Sequence, residues 1–372
     1  MLIVREVEDK DLLPLAEFLP KGFPNTTTEF WIPLFELWWT SNPAYTDQFP
    51  RGWILENGTS IVGFIGNIPV KFLFHGIVRI AALSNSWYVD PSVRGISSLR
   101  LFNEFMKQRD ASFLLFKKDD DSLMGILHNY KFKEFTLPWN QREFVYIIDK
   151  KKIYFIFFRY LLKLRIPKLS EFSEKYKKFG LLLLAYLYQK PFLRKDEGTG
   201  TAYISSLCTV CDETFFNLWA PYLKSCDFTL SRDTKTLNWL YFSSARKYTR
   251  VVIQCHRSRD KTLAGYMVFD IQRMNPSDDG IMNLMDICVQ NNDPDVLASL
   301  ISYAVKIGKQ NNAALLIVWA DNQETENYFK SMFSMSIPAK YFRYVRFSDP
   351  QGIKSYGDNH GNVCLPMIYP PQ

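Results

Sequence analysis

The chain has few of the residues on which metal and nucleophilic sites usually depend. Its 372 residues include four isolated His and six scattered Cys, of which only Cys208 and Cys211 form a CxxC pair. A zinc site needs a second ligand pair at similar spacing, and the sequence contains none. Ser-His-Asp spacing and a nucleophile elbow are also missing. We therefore predict no metal site, no covalent hydrolase chemistry, and reduced thiols.

Long hydrophobic runs and a basic leader are missing as well. No apolar stretch reaches the roughly 18 residues that a membrane-spanning helix needs. Residues 2–7 follow Met1 as a strand-like segment without a cleavage site. Hydrophobic residues make up 47% of the chain, which is enough for a sizeable core. We expect a cytoplasmic protein with two domains or one large one.

Positive charge is concentrated in one segment. The formal net charge is +7, yet residues 150–196 alone hold thirteen Lys or Arg and three Asp or Glu. Basic, aromatic and aliphatic residues interleave there at helical spacing, which is compatible with a helical linker or with a helix on an anionic membrane surface. The large aliphatics disfavour nucleic acid as a partner. Peripheral membrane contact through 150–196 therefore stays open beside the linker interpretation.

One stretch predicts a strand, a tight turn and a helix in succession. Ile80 to Val89 is apolar with small polar interruptions, as in a buried strand. Residues 90–95 read Asp-Pro-Ser-Val-Arg-Gly, which is typical of a turn. From Ser97 onward, apolar residues recur at helical spacing. A strand that turns into a helix leaves unpaired amides at the helix start, which form an anion site.

This turn resembles the acyl-CoA signature of the GNAT superfamily of N-acyltransferases, an apolar-x-Pro-x-x-Arg-Gly turn whose helix amides hold the CoA pyrophosphate. From Arg94 the family pattern Gln/Arg-x-x-Gly-x-Gly/Ala becomes Arg-Gly-Ile-Ser-Ser-Leu in this chain. The resemblance implies acetyl-CoA or another acyl-CoA as co-substrate. It also implies a set of cofactor-binding residues: Tyr88, Val89, Arg94, Gly95, Ile96, Ser97, Ser98 and Leu99.

The elements around the turn are similar in order to the GNAT fold. Strands are predicted at 2–7, 52–56, 60–65, 70–74, 77–89 and 111–116, and helices at 9–19, from 28 to about 41, from 97 onward and at 119–130. Asn57-Gly58 and His75-Gly76 predict hairpin turns. Residues 132–148 are predicted to supply the two final strands of this unit.

The second half of the chain repeats the spacing of the first. Like residues recur at an offset of 201: Asp11 and Asp212, Trp38 and Trp239, Leu114 and Leu315, Phe132 and Phe333. We therefore predict a duplication and the α/β (α+β) class, with two GNAT-like modules that each have a mixed central sheet flanked by helices. The modules are placed at 1–149 and 203–372, joined by a basic helical linker at 150–202. A GNAT subgroup with two fused modules has this arrangement.

The two copies differ at the positions that carry chemistry. The second copy's counterpart of the turn, residues 286–295, lacks Arg-Gly and places Asp293 and Asp295 where an anion would be repelled. We therefore expect CoA in the first copy. The family commonly places a base carboxylate on the central strand, whereas residues 80–89 contain none. The resemblance leaves Asn85, Asp286 and Tyr328 as candidate catalytic residues.

These features favour an acyltransferase, in particular an N-acetyltransferase. The implied acceptor is an amine on a small molecule, an amino sugar or an envelope precursor. The alternative is a non-catalytic GNAT-fold binding or scaffold protein at the membrane surface. Three departures from the family pattern support this alternative: the altered glycine pattern, the missing strand carboxylate, and Leu127 at the position where many members carry a Tyr that acts as general acid.

Overall fold

A computed structural model of the chain describes residues 2–24, 26–117, 124–135, 142–150, 152, 202–221, 228–243, 248–273, 280–320, 322–338, 343–347 and 363–364. We call the part before residue 150 the first half and the part after residue 201 the second half. Nearly all of the basic segment 150–196 lies outside the described residues, as do residues 119–123 of the fourth predicted helix. The linker and its membrane contact therefore stay predictions.

The two halves have their strands and helices in a similar order along the chain. The strands are β1 Leu2–Glu6, β2 Gly52–Asn57, β3 Ser60–Phe74, β4 Ile77–Val89, β5 Phe113–Lys117, β6 Lys133–Phe135, β7 Arg142–Ile147, β8 Tyr203–Cys208, β9 Phe228–Leu230, β10 Thr249–Arg257, β11 Leu263–Gln272, β12 Gly280–Val289, β13 Ala313–Val318, β14 Ser336–Pro338, β15 Arg343–Phe347 and β16 Val363–Cys364. The helices are α1 Leu12–Phe18, α2 Thr28–Phe35, α3 Ile96–Lys107, α4 Met124–Asn129, α5 Glu213–Trp219, α6 Thr234–Phe242, α7 Pro294–Gln310 and α8 Gln323–Met332.

The strands form two mixed sheets. The first has the order β1-β2-β3-β4-β5-β15-β6, with β9 beside β3 and β16 beside β9, and the second has the order β14-β7-β13-β12-β11-β10-β8. Near the centre of each sheet lies one parallel pair, β4 with β5 and β12 with β13. Helices flank both sheets. The predicted fold class, two mixed sheets flanked by helices, is confirmed.

The two halves exchange a strand. We predicted both strands within 132–148 as the end of the first unit, and this placement is wrong for β7, which pairs with β13 and β14 of the second sheet. In return β15 of the second half lies between β5 and β6. Phe144 on β7 explains the preference, because its ring packs 5.6 Å from Phe329 and 6.0 Å from Phe333 of the second half. With the exchange, the seven strands of the second sheet match the seven-strand path β1-β2-β3-β4-β5-β15-β6 of the first, while β9 and β16 have no counterpart among the described strands. The duplication itself stays a prediction.

Residues matched by the 201-residue offset take corresponding places. Asp11 and Asp212 stand directly before α1 and α5. The Trp239 indole donates a 2.7 Å hydrogen bond to the carbonyl of Leu37, the neighbour of Trp38. The corresponding helical segments of the two halves therefore meet, and buried side chains from both halves form one continuous core. Among the described residues, no helix is long and apolar enough to cross a membrane.

Candidate functional site

The first sheet opens along the second part of β4. Hydrogen bonding between β4 and β5 ends at the pair Leu83 and Leu115. β4 continues for six residues to Val89, whereas β5 ends at Lys117. At about 3.3 Å per residue, the unpaired part of β4 runs for ~20 Å. Its edge therefore offers backbone donors and acceptors that no strand in the described part of the chain uses.

A bulge interrupts β4 within this opening. The register with β3 shifts between the pairs that contain Asn85 and Tyr88, so Ser86 and Trp87 form the bulge, and Ser86 has a φ of +53°. The bulge changes which side chains share a face. Asn85 and Tyr88 lie on the face covered by α1 and α2, whereas Trp87 and Val89 face α3.

The turn after β4 is held by its own side chains. Asp90 accepts hydrogen bonds from the Ser92 amide at 2.9 Å and the Ser92 hydroxyl at 2.6 Å. The bond from Ser92 lowers the pKa of Asp90, and the charges of Lys21 and Arg94 lower it further. Arg94 Nε donates to the Val89 carbonyl at 2.8 Å, and its guanidinium lies 5.7 Å from the Tyr88 ring centroid. The turn is therefore fixed, with Arg94 beside it.

The start of α3 has no side-chain cap. Gly95 precedes the helix with a φ of +96°, a conformation suited to glycine, and an added Cβ there would meet no atom within 4 Å. The amides of Ile96 and Ser97 have no intrahelical acceptor, since they belong to the first turn of a 12-residue helix. Ile96 is 73% exposed. The predicted cofactor residues thus surround an open, positively polarised helix end.

Sequence reasoning missed one cation beside this helix end. Lys21 lies in the turn after α1, and its charge acts on Asp90 together with that of Arg94. Its ammonium is 5.7 Å from the Phe18 ring, which in turn packs 5.3 Å from Tyr88. Nothing in the local sequence around Lys21 indicates this role, because only the packing of α1 against β4 brings the residue there.

The second half closes the corresponding helix start with its own carboxylate. Asp293 precedes α7, and its Oδ1 accepts from the amides of Asp295 at 2.9 Å and Val296 at 3.5 Å. The Tyr203 hydroxyl donates to the other oxygen at 2.6 Å, which raises the pKa of Tyr203. The positive helix end is therefore already matched by a negative charge, so a diphosphate would have to displace Asp293.

The second sheet also closes the gap between its parallel strands. Pairing of β12 with β13 ends at Asn283 and Ile317. Just beyond, the Trp319 indole donates to the Leu284 carbonyl at 2.7 Å and is 2% exposed. In the second half, a side chain therefore hydrogen-bonds to part of the strand edge that is open in the first half.

The candidate residue Asp286 lies inside a buried polar cluster. Its carboxylate accepts from Arg232 Nη2 at 2.7 Å, from the Tyr266 hydroxyl at 3.0 Å and from the Tyr241 hydroxyl. Asp286 is 1% exposed. Burial raises the pKa of both tyrosines, and the charge of Asp286 adds to that effect. These contacts fix the position of the carboxylate. A catalytic role for Asp286 stays a prediction.

The other two candidates lie in different halves. Asn85 is on β4, and its buried Nδ2 has no hydrogen-bond partner among the described residues. Tyr328 is on α8 of the second half, half-buried, with its ring 6.3 Å from that of Phe329. Asn85 occupies the position that matches Asp286 at the 201-residue offset. The structure thus places Asn85 in the first sheet, and Asp286 and Tyr328 in the second half.

A metal site is not formed by the part of the chain that the structure describes. No group of three His, Cys, Asp or Glu side chains converges there to hold an ion. Cys208 and Cys211 are buried, and no disulfide joins them.

Solved structures resemble this chain, although no protein-family model and no curated protein sequence matches it. A probable N-acyltransferase from Enterococcus faecalis is 11% identical with a TM-score of 0.57, over 95% of this chain and 74% of that one. Saccharomyces cerevisiae N-myristoyltransferase with bound myristoyl-CoA is 14% identical with a TM-score of 0.55, over 99% and 89%. A GCN5-related N-acetyltransferase from Anabaena variabilis is 10% identical with a TM-score of 0.55, over 94% and 73%. Over nearly its whole length, the chain therefore has the GNAT-type fold of these N-acyltransferase structures.

Proposed function

We propose that the protein is an acyl-CoA-dependent N-acyltransferase whose first half holds the CoA. One observation carries the proposal. The uncapped start of α3 lies at the mouth of the opening between β4 and β5, whereas a carboxylate and an indole occupy the matching places in the second half. The fold shared with N-acyltransferase structures supports the same function.

The residues of the first half fit the chemistry of CoA. The amides of Ile96 and Ser97 would hold the diphosphate, with Arg94 and Lys21 as flanking cations. The unpaired edge of β4 would hydrogen-bond the amide groups of the pantetheine arm, because each exposed N–H and C=O there needs a partner. When bound, acyl-CoA supplies the acyl group as a thioester, so that an amine becomes an amide and CoA leaves as a thiol.

The chain's own groups on this strand position the reactants rather than take up a proton. Backbone N–H groups near the bulge, at Tyr88 or Val89, would polarise a carbonyl. Asn85 offers a buried amide donor on the face of α1 and α2, where it would orient an acceptor or a water molecule. Since residues 80–89 contain no carboxylate, the amine proton would leave through water. Asp286 and Tyr328 are proposed to contribute only from the second half.

The finer substrate assignments are also proposals. We propose acetyl-CoA as the donor and an amine on a small molecule, an amino sugar or an envelope precursor as the acceptor. The basic aromatic segment 150–196 supports a cytoplasmic protein with peripheral contact to an anionic membrane.

A non-catalytic binding protein is the second candidate. The observation that favours it is the chemistry of the two central strands, because β4 lacks a carboxylate and Asp286 on β12 is already bonded to Arg232, Tyr241 and Tyr266. Such a protein would bind CoA at α3 without turning it over.

Binding and turnover can be tested separately. We expect millimolar CoA or acetyl-CoA to raise the unfolding temperature, since a ligand at 100 times its Kd stabilises the native state by about 2.7 kcal/mol. Calorimetric titration should give one CoA per chain, because of the two matching helix starts that of α3 is uncapped and that of α7 is capped by Asp293. No thermal shift with any acyl-CoA would contradict the cofactor assignment. Two equivalents would contradict the assignment to the first half.

Turnover is measured as thiol release from acetyl-CoA in the presence of a panel of primary amines. Release that depends on the amine supports the acyltransferase. Binding without release for every amine would favour the non-catalytic protein instead.

A further inference from the structure

We infer that Trp87 limits the length of the acyl group, so that the site accepts short acyl chains and excludes long ones. This inference rests on the proposed function. It names a specificity-determining residue for the first-half site, and the experiment below separates its failure from the failure of CoA binding.

The bulge in β4 turns Trp87 toward α3. Along the regular part of the strand, Ala81 and Leu83 face α1 and α2, and strict alternation would place residue 87 on that same face. Because the register with β3 shifts after Asn85, the Trp87 side chain instead faces α3. The bulge thus sets which side of the opening the indole occupies.

The indole reaches across the opening to β5. It stacks on Phe102 of α3 with ring centroids 4.9 Å apart and planes at 18°, and it meets Phe116 of β5 edge-on at 6.1 Å. Phe116 directly follows Leu115, the last residue of β5 that pairs with β4. Trp87 therefore bridges the two strands on the α3 side, immediately beyond the point where they separate.

The opposite side of this point is filled as well. Leu83 and Leu115 are 6% exposed, and beneath them Phe72 and Phe113 form an edge-to-face pair at 5.2 Å. An acyl chain directed past the end of the strand pairing would meet packed side chains on both faces. Trp87 is only half-buried, whereas those four side chains are buried, so its size can be changed with less damage to the core than theirs.

The experiment compares acyl-CoA binding in a matched set of variants. Kd values for CoA, acetyl-CoA, butyryl-CoA and octanoyl-CoA are measured by calorimetric titration on the full chain. The variants are Trp87→Ala, Trp87→Leu and, as a control, Trp53→Leu. Trp53 belongs to the same α3-side layer, where it packs 6.2 Å from Phe105, but it lies on β2 away from the opening.

In the unaltered protein we expect octanoyl-CoA to bind at least ~10-fold more weakly than acetyl-CoA. A hydrophobic pocket discriminates by about 10- to 200-fold between ligands that differ by one methylene. In Trp87→Ala that order should reverse, while the Kd for free CoA stays within about twofold. Trp87→Leu should give a smaller change in the same direction, and it serves as the readout should the alanine variant not fold. Trp53→Leu should keep the order of the unaltered protein.

Three results would decide against parts of this scheme. Octanoyl-CoA binding as tightly as acetyl-CoA to the unaltered protein would overturn the length limit. An unchanged chain-length order in both Trp87 variants would overturn the role of Trp87 and leave the CoA site standing. Failure of free CoA to bind the unaltered protein would overturn the proposed function, and with it this inference.

Discussion

The starts of α3 and α7 follow the same kind of strand and turn, yet the start of α3 is suited to an anion and the start of α7 is not. Gly95 leaves the first helix end without a side chain, and Arg94 and Lys21 add positive charge beside it. Asp293 caps the second helix end and is itself held by Tyr203. The comparison shows that two similar strand-turn-helix units differ in whether a carboxylate already occupies the positive helix end.

The difference continues inward along the central strands. In the second half, Trp319 bonds to the β12 backbone and Asp286 is enclosed by three partners. Among the described residues of the first half, the matching strand has no neighbouring strand on its β5 side beyond Leu83, and the Asn85 amide has no hydrogen-bond partner. At these two places, polar groups that the second half bonds internally have no such partner among the described residues of the first half.

The largest effect is expected when the second half is made to resemble the first at the central strand. Asp286→Asn leaves Arg232 buried without its counter-charge, which should reduce the free energy of unfolding by about 3–5 kcal/mol. Urea unfolding measures this loss. The affinity of the folded protein for CoA should not change, because the cluster lies in the second half.

Asp260→Asn is the matched control for this change. Asp260 lies in an exposed turn of the same half, where it accepts from Thr262. We expect its unfolding midpoint to stay near that of the unaltered protein. An equal loss in both variants would show that the buried cluster adds nothing beyond an ordinary surface carboxylate.

The next effect comes from giving the first helix start the charge of the second. Ile96→Asp places a carboxylate in the first turn of α3, at a position that is 73% exposed. The Kd for CoA should rise by about 10- to 100-fold, because charge-assisted hydrogen bonds contribute about 1.5–3 kcal/mol. The helix itself should gain about 0.3–1 kcal/mol from the favourable dipole interaction.

Ile96→Asn is the control for this second prediction, since it has the same shape without the charge. Calorimetric titration of both variants with CoA separates charge from size. Equal affinities for the Asp and Asn variants would place the diphosphate elsewhere.

The smallest effect is expected from removing the cap of the second half. Asp293→Ala loses the bonds to the α7 amides and to Tyr203, which should cost about 0.5–2 kcal/mol in thermal unfolding. Asp293→Asn retains a capping side chain and should lose less. CoA stoichiometry should stay at one per chain, because Trp319 still fills the gap between β12 and β13. A second equivalent in the alanine variant would show that the cap alone keeps the site closed.

The sequence predicts those features that depend on neighbours along the chain. The turn at 90–95, the start of α3 and the hairpins at Gly58 and Gly76 all follow from local residue patterns, and the structure has them. The predicted fold class rests on the same kind of pattern, repeated at a constant offset.

What the sequence could not predict depends on residues that meet only in space. Lys21 reaches the α3 start because α1 packs against the sheet, and Arg232 and Tyr241 reach Asp286 from 54 and 45 residues away. The sequence correctly predicts β7 as a strand. The alternation of side chains along a strand does not, however, indicate which of the two sheets the strand joins. Contacts with residues distant in sequence, such as those of Phe144 with Phe329 and Phe333, favour its place in the second sheet.

The exchange of β7 and β15 has a consequence for how the protein is made. β15 (Arg343–Phe347) lies far downstream of β5 (Phe113–Lys117), so during synthesis the edge of β5 stays without this partner until β15 has been made. β7 likewise emerges long before β13 and β14, its partners, are synthesised. Neither half completes its sheet alone, so the open start of α3 and the capped start of α7 are expected to form together, late and through contacts distant in sequence.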